Sequence, residues 1–119
     1  HGADVVVIAA PLDDSTRGMV DAAFLARMRD GALLVNVARG AIVDTDAMLA
    51  EAGRLSFALD VTDPEPLPVE HPLWRAPGVL ISPHVGGNTT AFLPRIGRLV
   101  REQLERWESG AALRNVIVS

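Results

Sequence analysis

The sequence predicts an α/β fold in which parallel strands form one sheet and helices cover it. Short runs rich in β-branched residues alternate with segments of helical period, which indicates strands joined by crossover helices. The first run, VVVIAA over residues 5–10, is continuously apolar. Such a run is typical of a strand buried on both faces of a parallel sheet. A chain of 119 residues has room for one domain of this kind.

Local signals predict the next two elements. Asp21 offers an N-cap for a helix that runs through Met28. The dipeptide Asp30-Gly31 indicates a turn, and the largely apolar residues 33–36 that follow it predict the second strand.

The middle of the chain predicts one short helix and two further strands. Either Asp44 or Thr45 caps the helix, which stops at Gly53. The third strand covers residues 57–59 and the fourth covers residues 79–81. We therefore expect four parallel strands in all.

The connection between the last two strands differs from the others. Residues 60–78 hold five of the eight prolines and show no helical period, so we expect a long ordered loop of the kind that is usually functional. After the fourth strand, residues 89–107 predict one long helix closed by Gly110. Pro94 predicts a kink near its start.

Composition and charge exclude several classes of function. The formal net charge of −4 argues against a nucleic-acid partner, because phosphate binding needs a concentrated basic face. Cysteine is absent, which excludes disulfides, thiolate catalysis and cysteine metal sites. The longest apolar run is too short to cross a bilayer, so we expect no membrane association and a cytoplasmic location.

Polar side chains follow each of the last three predicted strands. Arg39 comes shortly after the second strand, Asp60 directly after the third, and His84 shortly after the fourth, while Pro11 follows the first. Glu65 lies five residues beyond Asp60 in the proline-rich loop. Because the carboxyl ends of parallel strands meet at one edge of a sheet, where ligands bind, we expect these side chains to share a crevice.

Each of these side chains has a distinct chemical capacity. Arg39 presents a planar set of donors suited to a carboxylate, although an isolated arginine is more often a surface residue. His84 can transfer a proton near neutral pH, although an isolated histidine is more often structural. A carboxylate such as Glu65 would favour the charged form of His84 and orient its ring, although spacing alone favours an exposed loop carboxylate at Glu65. Asp60 ends a buried strand and needs a hydrogen-bond donor, which an amide-bearing ligand could supply.

Two rival kinds of site fit the residues less well. His84, Asp60 and Glu65 could ligate a metal, but Arg39 at the same edge would repel a divalent cation, so we expect no metal. No serine lies on a glycine-flanked turn between strand and helix, and cysteine is missing, so a serine or cysteine nucleophile finds no support. The third histidine, His71, is expected to anchor the loop.

Three segments of the chain resemble the D-isomer-specific 2-hydroxyacid dehydrogenases. They are LLVNVARGAIVDTDAML (residues 33–49), ALDVTDPEPLPVEHPLW (residues 58–74) and VLISPHVGG (residues 79–87). They occur in the family's order and close to its spacing, and the second is most similar to glyoxylate/hydroxypyruvate reductase-like members. The resemblance implies the C-terminal half of a Rossmann-type, doubly wound parallel sheet followed by a long helix.

The resemblance also implies a role for each of the four polar residues. Arg39 would bind the carboxylate and polarise the ketone of a 2-oxo acid, and His84 would act as the acid/base. Glu65 would hold His84 and keep it protonated. Asp60 would accept a hydrogen bond from the nicotinamide carboxamide of NAD or NADP, and so fix which ring face delivers hydride.

The implied cofactor site extends beyond these four residues. The nicotinamide side would be lined by Val37, Ala38, Arg39, Asp60, His84, Gly86 and Gly87. Pro11 and Thr16 would line the adenosine and phosphate side. The family further implies a homodimer in the full-length form.

The sequence departs from the family in what it lacks. No G-x-G-x-x-G motif occurs, nor the residue beyond it that selects NAD or NADP, and no substrate domain is present. Because the chain begins at His1 and lacks these parts, we expect residues 1–119 to be a partial dinucleotide-binding domain that is inactive in isolation. Some relatives are cofactor-sensing corepressors with the same catalytic residues, so an NAD(H)-sensing binding module is the alternative function.

Overall fold

A computed structural model describes residues 2–116. Four parallel strands form one sheet in the order β1-β2-β3-β4. Their bounds are Val5–Ile8 for β1, Leu33–Asn36 for β2, Ser56–Leu59 for β3 and Val79–Ile81 for β4. The predicted α/β class is confirmed, because every strand pair is parallel and helices separate consecutive strands along the chain.

Two short α-helices precede the third strand, and both begin at the predicted caps. Helix α1 covers Ala22–Ala26, and its N-cap Asp21 accepts a hydrogen bond from the amide of Phe24. Helix α2 covers Thr45–Glu51, and its N-cap Asp44 accepts from the amide of Ala47 in the same way. The predicted end of α1 at Met28 is wrong by two residues, and Met28 itself is buried.

Two short 3₁₀-helices lie in the connections. Gly40–Ile42 follows β2, and Pro72–Arg75 interrupts the proline-rich connection that the sequence predicts as a loop without secondary structure. The side chain of His71 caps the second of them, since its Nδ1 accepts from the amide of Leu73 at 3.3 Å. This contact agrees with the predicted anchoring role of His71.

The hydrophobic core lies between the sheet and the two short helices. Its largest fully buried side chains are Phe57, Leu25, Leu34, Ile42, Leu55 and Leu73. The prediction that β1 is buried on both faces is wrong, since Val5 and Val7 are more than half exposed. Val5 and Val7 alternate with Val6 and Ile8, which pack in or against the core, so their side chains lie on the opposite face of the sheet.

The described residues divide into two compact units, one up to Gly86 and one from Gly87 onward. The second unit contains helix α3, which covers Phe92–Glu108. Gly110, which adopts a left-handed conformation, follows its C-terminal end. Pro94 lies in the first turn of α3, where no intrahelical N–H bond is lost, so the predicted kink has no cause there. In residues 2–116 no helix has the length and apolar character needed to cross a membrane.

Candidate active site

A carboxylate and an imidazole meet at the carboxyl ends of the last two strands. Oε1 of Glu65, in the loop after β3, lies 2.7 Å from Nδ1 of His84, in the segment after β4. Both side chains are less than half exposed, at 40% and 46%. An ionised Glu65 can only accept hydrogen bonds, which assigns the proton of this contact to Nδ1. Nε2 has no hydrogen-bond partner among residues 2–116 and can exchange a proton with a ligand.

The backbone of His84 adopts an unusual conformation. Its φ angle is 54°, in the left-handed region that few residues other than glycine occupy. The amide of His84 donates to the carbonyl of Ser82 at 3.0 Å, which closes a tight turn just after the strand. Strained backbone of this kind persists only where surrounding contacts hold it, and it clusters at functional sites.

Asp60 supplies such contacts. One carboxylate oxygen accepts from the hydroxyl of Ser82 at 2.6 Å and from the amide of Val85 at 2.9 Å, and the other accepts from the amide of Gly86 at 2.8 Å. These hydrogen bonds, that of Ser82 first, lower the pKa of Asp60 below its ordinary value of 3.8. The hydrogen-bond donors that Asp60 needs are therefore supplied by the chain itself, whereas the sequence suggested that a ligand could supply one. The predicted contact between Asp60 and a cofactor amide stays a prediction.

Arg39 is held in place by a buried neighbour. The side chain of Asn36 is 1% exposed, donates to the carbonyl of Arg39 at 2.9 Å and accepts from the amide of Ala38 at 3.0 Å. The guanidinium of Arg39 bonds to the carbonyl of Ala38 at 2.7 Å. Within residues 2–116 no hydrogen bond joins Arg39 to Glu65 or His84, so the backbone of Arg39 is fixed while most of its donors stay available to a ligand.

Two cavities lie at this edge of the sheet. The first, of about 210 Å³, is lined by Glu65 and His84 together with Asp60, Trp74 and Ile81. The second, of about 670 Å³, lies at the ends of β1 and β2 and is lined by Ala9, Ala10, Pro11, Leu12, Ala38 and Arg39. Its small apolar side chains leave room for a flat ring beside a guanidinium, which fits part of a dinucleotide.

Most of the predicted site residues line these two separate cavities, so the expectation that Arg39 shares one crevice with Asp60, Glu65 and His84 stays a prediction. Asp60, Glu65 and His84 line the first cavity, whereas Pro11, Ala38 and Arg39 line the second. Val37 is half exposed, and Gly86 contacts Asp60. The hydroxyl of Thr16 donates to the carbonyl of Pro11 at 2.8 Å, so it stabilises the turn after β1. In residues 2–116 no cluster of three potential metal ligands occurs.

Sequence reasoning missed two residues that support the site, Asn36 and Ser82. Each follows or ends an apolar strand, and a polar side chain at such a position has to find partners when it is buried. The same rule predicts that Asp60 has hydrogen-bond partners, and it applies equally to Asn36. The two residues were missed because their partners are backbone groups of the adjoining loops, which only the folded chain brings near.

We expect the replacement Asn36→Asp to destabilise the fold by about 1–3 kcal/mol at pH 7. A carboxylate oxygen would then face the carbonyl of Arg39 in place of an N–H donor, inside the protein. Urea unfolding measures the change, and the exposed Asn88→Asp is the matched control. The loss should shrink at acidic pH, because a protonated carboxyl regains a donor; equal stability of the two variants at pH 7 would contradict the prediction.

Comparison with known proteins gives a consistent result. Residues 1–86 match the model for "D-isomer specific 2-hydroxyacid dehydrogenase, NAD binding domain". A glyoxylate reductase of Aeropyrum pernix is 36% identical over 96% of the chain and 35% of its own length. A mitochondrial formate dehydrogenase of Hordeum vulgare is 38% identical over 90% of the chain and 29% of its own length.

A solved structure resembles the chain at a sequence identity comparable to that of these relatives. The D-isomer specific 2-hydroxyacid dehydrogenase from Xanthobacter autotrophicus Py2, in complex with NADPH and MES, superposes with a TM-score of 0.87 at 37% identity. The match covers 98% of the present chain and 49% of the Xanthobacter chain. The chain thus spans about a third of the length of the curated relatives that it matches.

Proposed function

Since the chain belongs to the D-isomer specific 2-hydroxyacid dehydrogenase family, as part of its NAD-binding domain, we propose that the protein carrying it reduces a 2-oxo acid to a D-2-hydroxy acid with NADH or NADPH. The observation that carries this proposal is the 2.7 Å contact between Nδ1 of His84 and Oε1 of Glu65. It leaves Nε2 of an oriented imidazole as a proton donor at the edge of the sheet.

Reduction of a ketone needs both a hydride and a proton. The nicotinamide cofactor, when bound, supplies the hydride to the carbonyl carbon. His84 supplies the proton to the carbonyl oxygen through Nε2, and Glu65 stabilises the imidazolium before that transfer. Each group thus has a defined task, and the reverse reaction uses His84 as the base.

Arg39 binds the substrate in this proposal. Its guanidinium can pair with the carboxylate of a 2-oxo acid through two parallel hydrogen bonds. Asn36 fixes the backbone on which Arg39 is carried, which limits the conformational freedom lost when the substrate binds. Pro11, Ala38 and Arg39 would hold the cofactor along the second cavity. Val37 and Thr16 lie close to these residues in the sequence, whereas Gly86 and Gly87 follow His84.

The acid/base pair favours 2-oxo acid reduction over formate oxidation. Oxidation of formate to carbon dioxide transfers a hydride and leaves no oxygen to be protonated, so it has no use for a proton donor. Reduction of a 2-oxo acid requires one. We therefore propose glyoxylate or hydroxypyruvate as substrates, in line with the glyoxylate reductase relative. A homodimer and a cytoplasmic location stay predictions from the sequence.

The test is a cofactor-oxidation assay on the protein that carries this chain, with glyoxylate, hydroxypyruvate and pyruvate, each with NADH and NADPH. We expect turnover with at least one pair, a D-configured product from hydroxypyruvate or pyruvate (glycolate, the product from glyoxylate, is achiral), and no turnover by residues 1–119 alone. Turnover of formate with NAD but of no 2-oxo acid would refute the proposed substrate class. Turnover by residues 1–119 alone would refute the expectation that this piece is inactive in isolation.

A further inference from the structure

The segment that carries His84 depends on one buried carboxylate for its shape. His84 holds a left-handed φ of 54°, a conformation that costs free energy for any residue with a side chain. Its neighbours Val85 and Gly86 turn their amides toward Asp60, and Ser82 turns its hydroxyl toward the same side chain. The hydrogen bonds to Asp60 therefore bracket His84 on both sides along the chain.

Asp60 is itself well fixed. The residue is buried, at 8% exposed. Its amide donates to the carbonyl of Asn36 at 2.9 Å. Asp60 thus joins the end of β3 to β2 through its backbone and to the segment after β4 through its carboxylate. The close packing also explains Gly86, because a Cβ at that position would lie 2.8 Å from a carboxylate oxygen of Asp60.

We propose that Asp60, with Ser82, is a positioning residue that holds the strained backbone of His84 and thereby aims its imidazole at Glu65. The inference rests on the proposed function for the importance of that aim, whereas the contacts of Asp60 are made within the chain itself. It differs from the role that the family resemblance implies for Asp60, in which the carboxylate binds the cofactor amide. A positioning role predicts an effect on His84 when no cofactor is present.

The first test uses residues 1–119 without cofactor. NMR follows amide hydrogen exchange at Val85 and Gly86 and the imidazole signals of His84 in the variants Ser82→Ala and Gly86→Ala, both of which keep the charge of Asp60. We expect exchange at both amides to accelerate by about tenfold or more and the His84 signals to move or broaden. The signals of His71 report whether the fold is otherwise intact and should stay in place.

Ser82→Thr is the rescue variant, because it restores the hydroxyl donor that Ser82→Ala removes. We expect it to recover most of the amide protection at Val85 and Gly86. Unchanged exchange and unchanged His84 signals in Ser82→Ala and Gly86→Ala, in a chain that is still folded, would overturn the positioning role. If Gly86→Ala does not fold, Ser82→Ala alone decides the question, since it removes a single hydroxyl.

The second test measures kinetics in the protein that carries this chain. Ser82→Ala should lower kcat by about tenfold, the order of one hydrogen bond to a charged group, while the Kd for the cofactor changes by less than about twofold. A change confined to the cofactor Kd would overturn the positioning role in favour of a cofactor contact. Absence of turnover in the unmodified protein would refute the proposed function and leave the NMR result to decide the positioning role.

Discussion

The variant His84→Gln of the protein that carries this chain is expected to lose two to four orders of magnitude in kcat, about the contribution of general acid catalysis by a positioned side chain. Glutamine can still bond to Oε1 of Glu65, which His84 contacts at 2.7 Å. It cannot release a proton to the substrate oxygen. The KM for the 2-oxo acid should change much less, because the proposed mechanism assigns binding of the carboxylate to Arg39.

Steady-state kinetics with glyoxylate or the best 2-oxo acid measure this effect. The matched control is His71→Asn, whose Oδ1 can still accept from the amide of Leu73, as Nδ1 of His71 does. We expect the control to keep its kcat within about twofold. A His84→Gln variant that keeps its kcat would contradict the acid/base role, whatever the state of the fold.

The variant Glu65→Gln resolves how the pair works together. Because Glu65 acts through His84, the double variant Glu65→Gln with His84→Gln should be no slower than His84→Gln alone. Additive losses in the two single variants would mean that Glu65 acts on the substrate or the cofactor independently of the imidazole.

The variant Gly40→Ala is expected to destabilise the fold by at least about 3 kcal/mol, a large share of the stability of a small domain. Gly40 is buried directly after Arg39, at the start of a 3₁₀-helix. A Cβ there would overlap the carbonyl group of Thr62 and lie 2.6 Å from the amide nitrogen of Asp63. These are backbone atoms, so no side chain can move aside to relieve the overlap.

Urea unfolding of residues 1–119 measures the loss. The control is Gly97→Ala in α3, where a Cβ meets nothing within 4 Å and a helix former replaces glycine. The control should match or slightly exceed the parent in stability. If Gly40→Ala unfolds at the same urea concentration as the parent, the close approach of the loops after β2 and β3 does not exist in solution.

The same close approach connects stability to the site. Gly40 brings the loop that carries Arg39 against the start of the loop that carries Glu65, and the hydroxyl of Thr45 adds a bond to the carbonyl of Asp63 at 2.9 Å. A change at Gly40 therefore displaces two functional segments together. We expect any folded Gly40 variant to bind the 2-oxo acid less tightly as well.

Much of the fold follows from local chemistry that the sequence displays directly. The bounds of β2 and β4 agree with the prediction, because apolar residues between turn formers leave little choice of register. Asp21 caps its helix as predicted, and Asp44, one of the two residues predicted for the second cap, caps the other. A short carboxylate can satisfy the free amides of a helix's first turn. The meeting of Glu65 and His84 could be predicted because parallel strands end on one side of a sheet.

Other features depend on neighbours that are distant in the sequence. The continuous apolar run of β1 is compatible with a strand covered on one face or on both, and only the tertiary packing leaves Val5 and Val7 on the exposed face. The donors for Asp60 are a hydroxyl and two amides more than twenty residues away.

The sequence by itself determined the fold class, the helix caps and the chemical groups of the site, because these depend on residue type and short-range spacing. The tertiary structure alone decided which backbone groups pair with Asn36 and Asp60, and that His84 adopts a left-handed conformation. The physical reason is that a buried polar group takes whichever partner the packing of separate segments brings within hydrogen-bond reach.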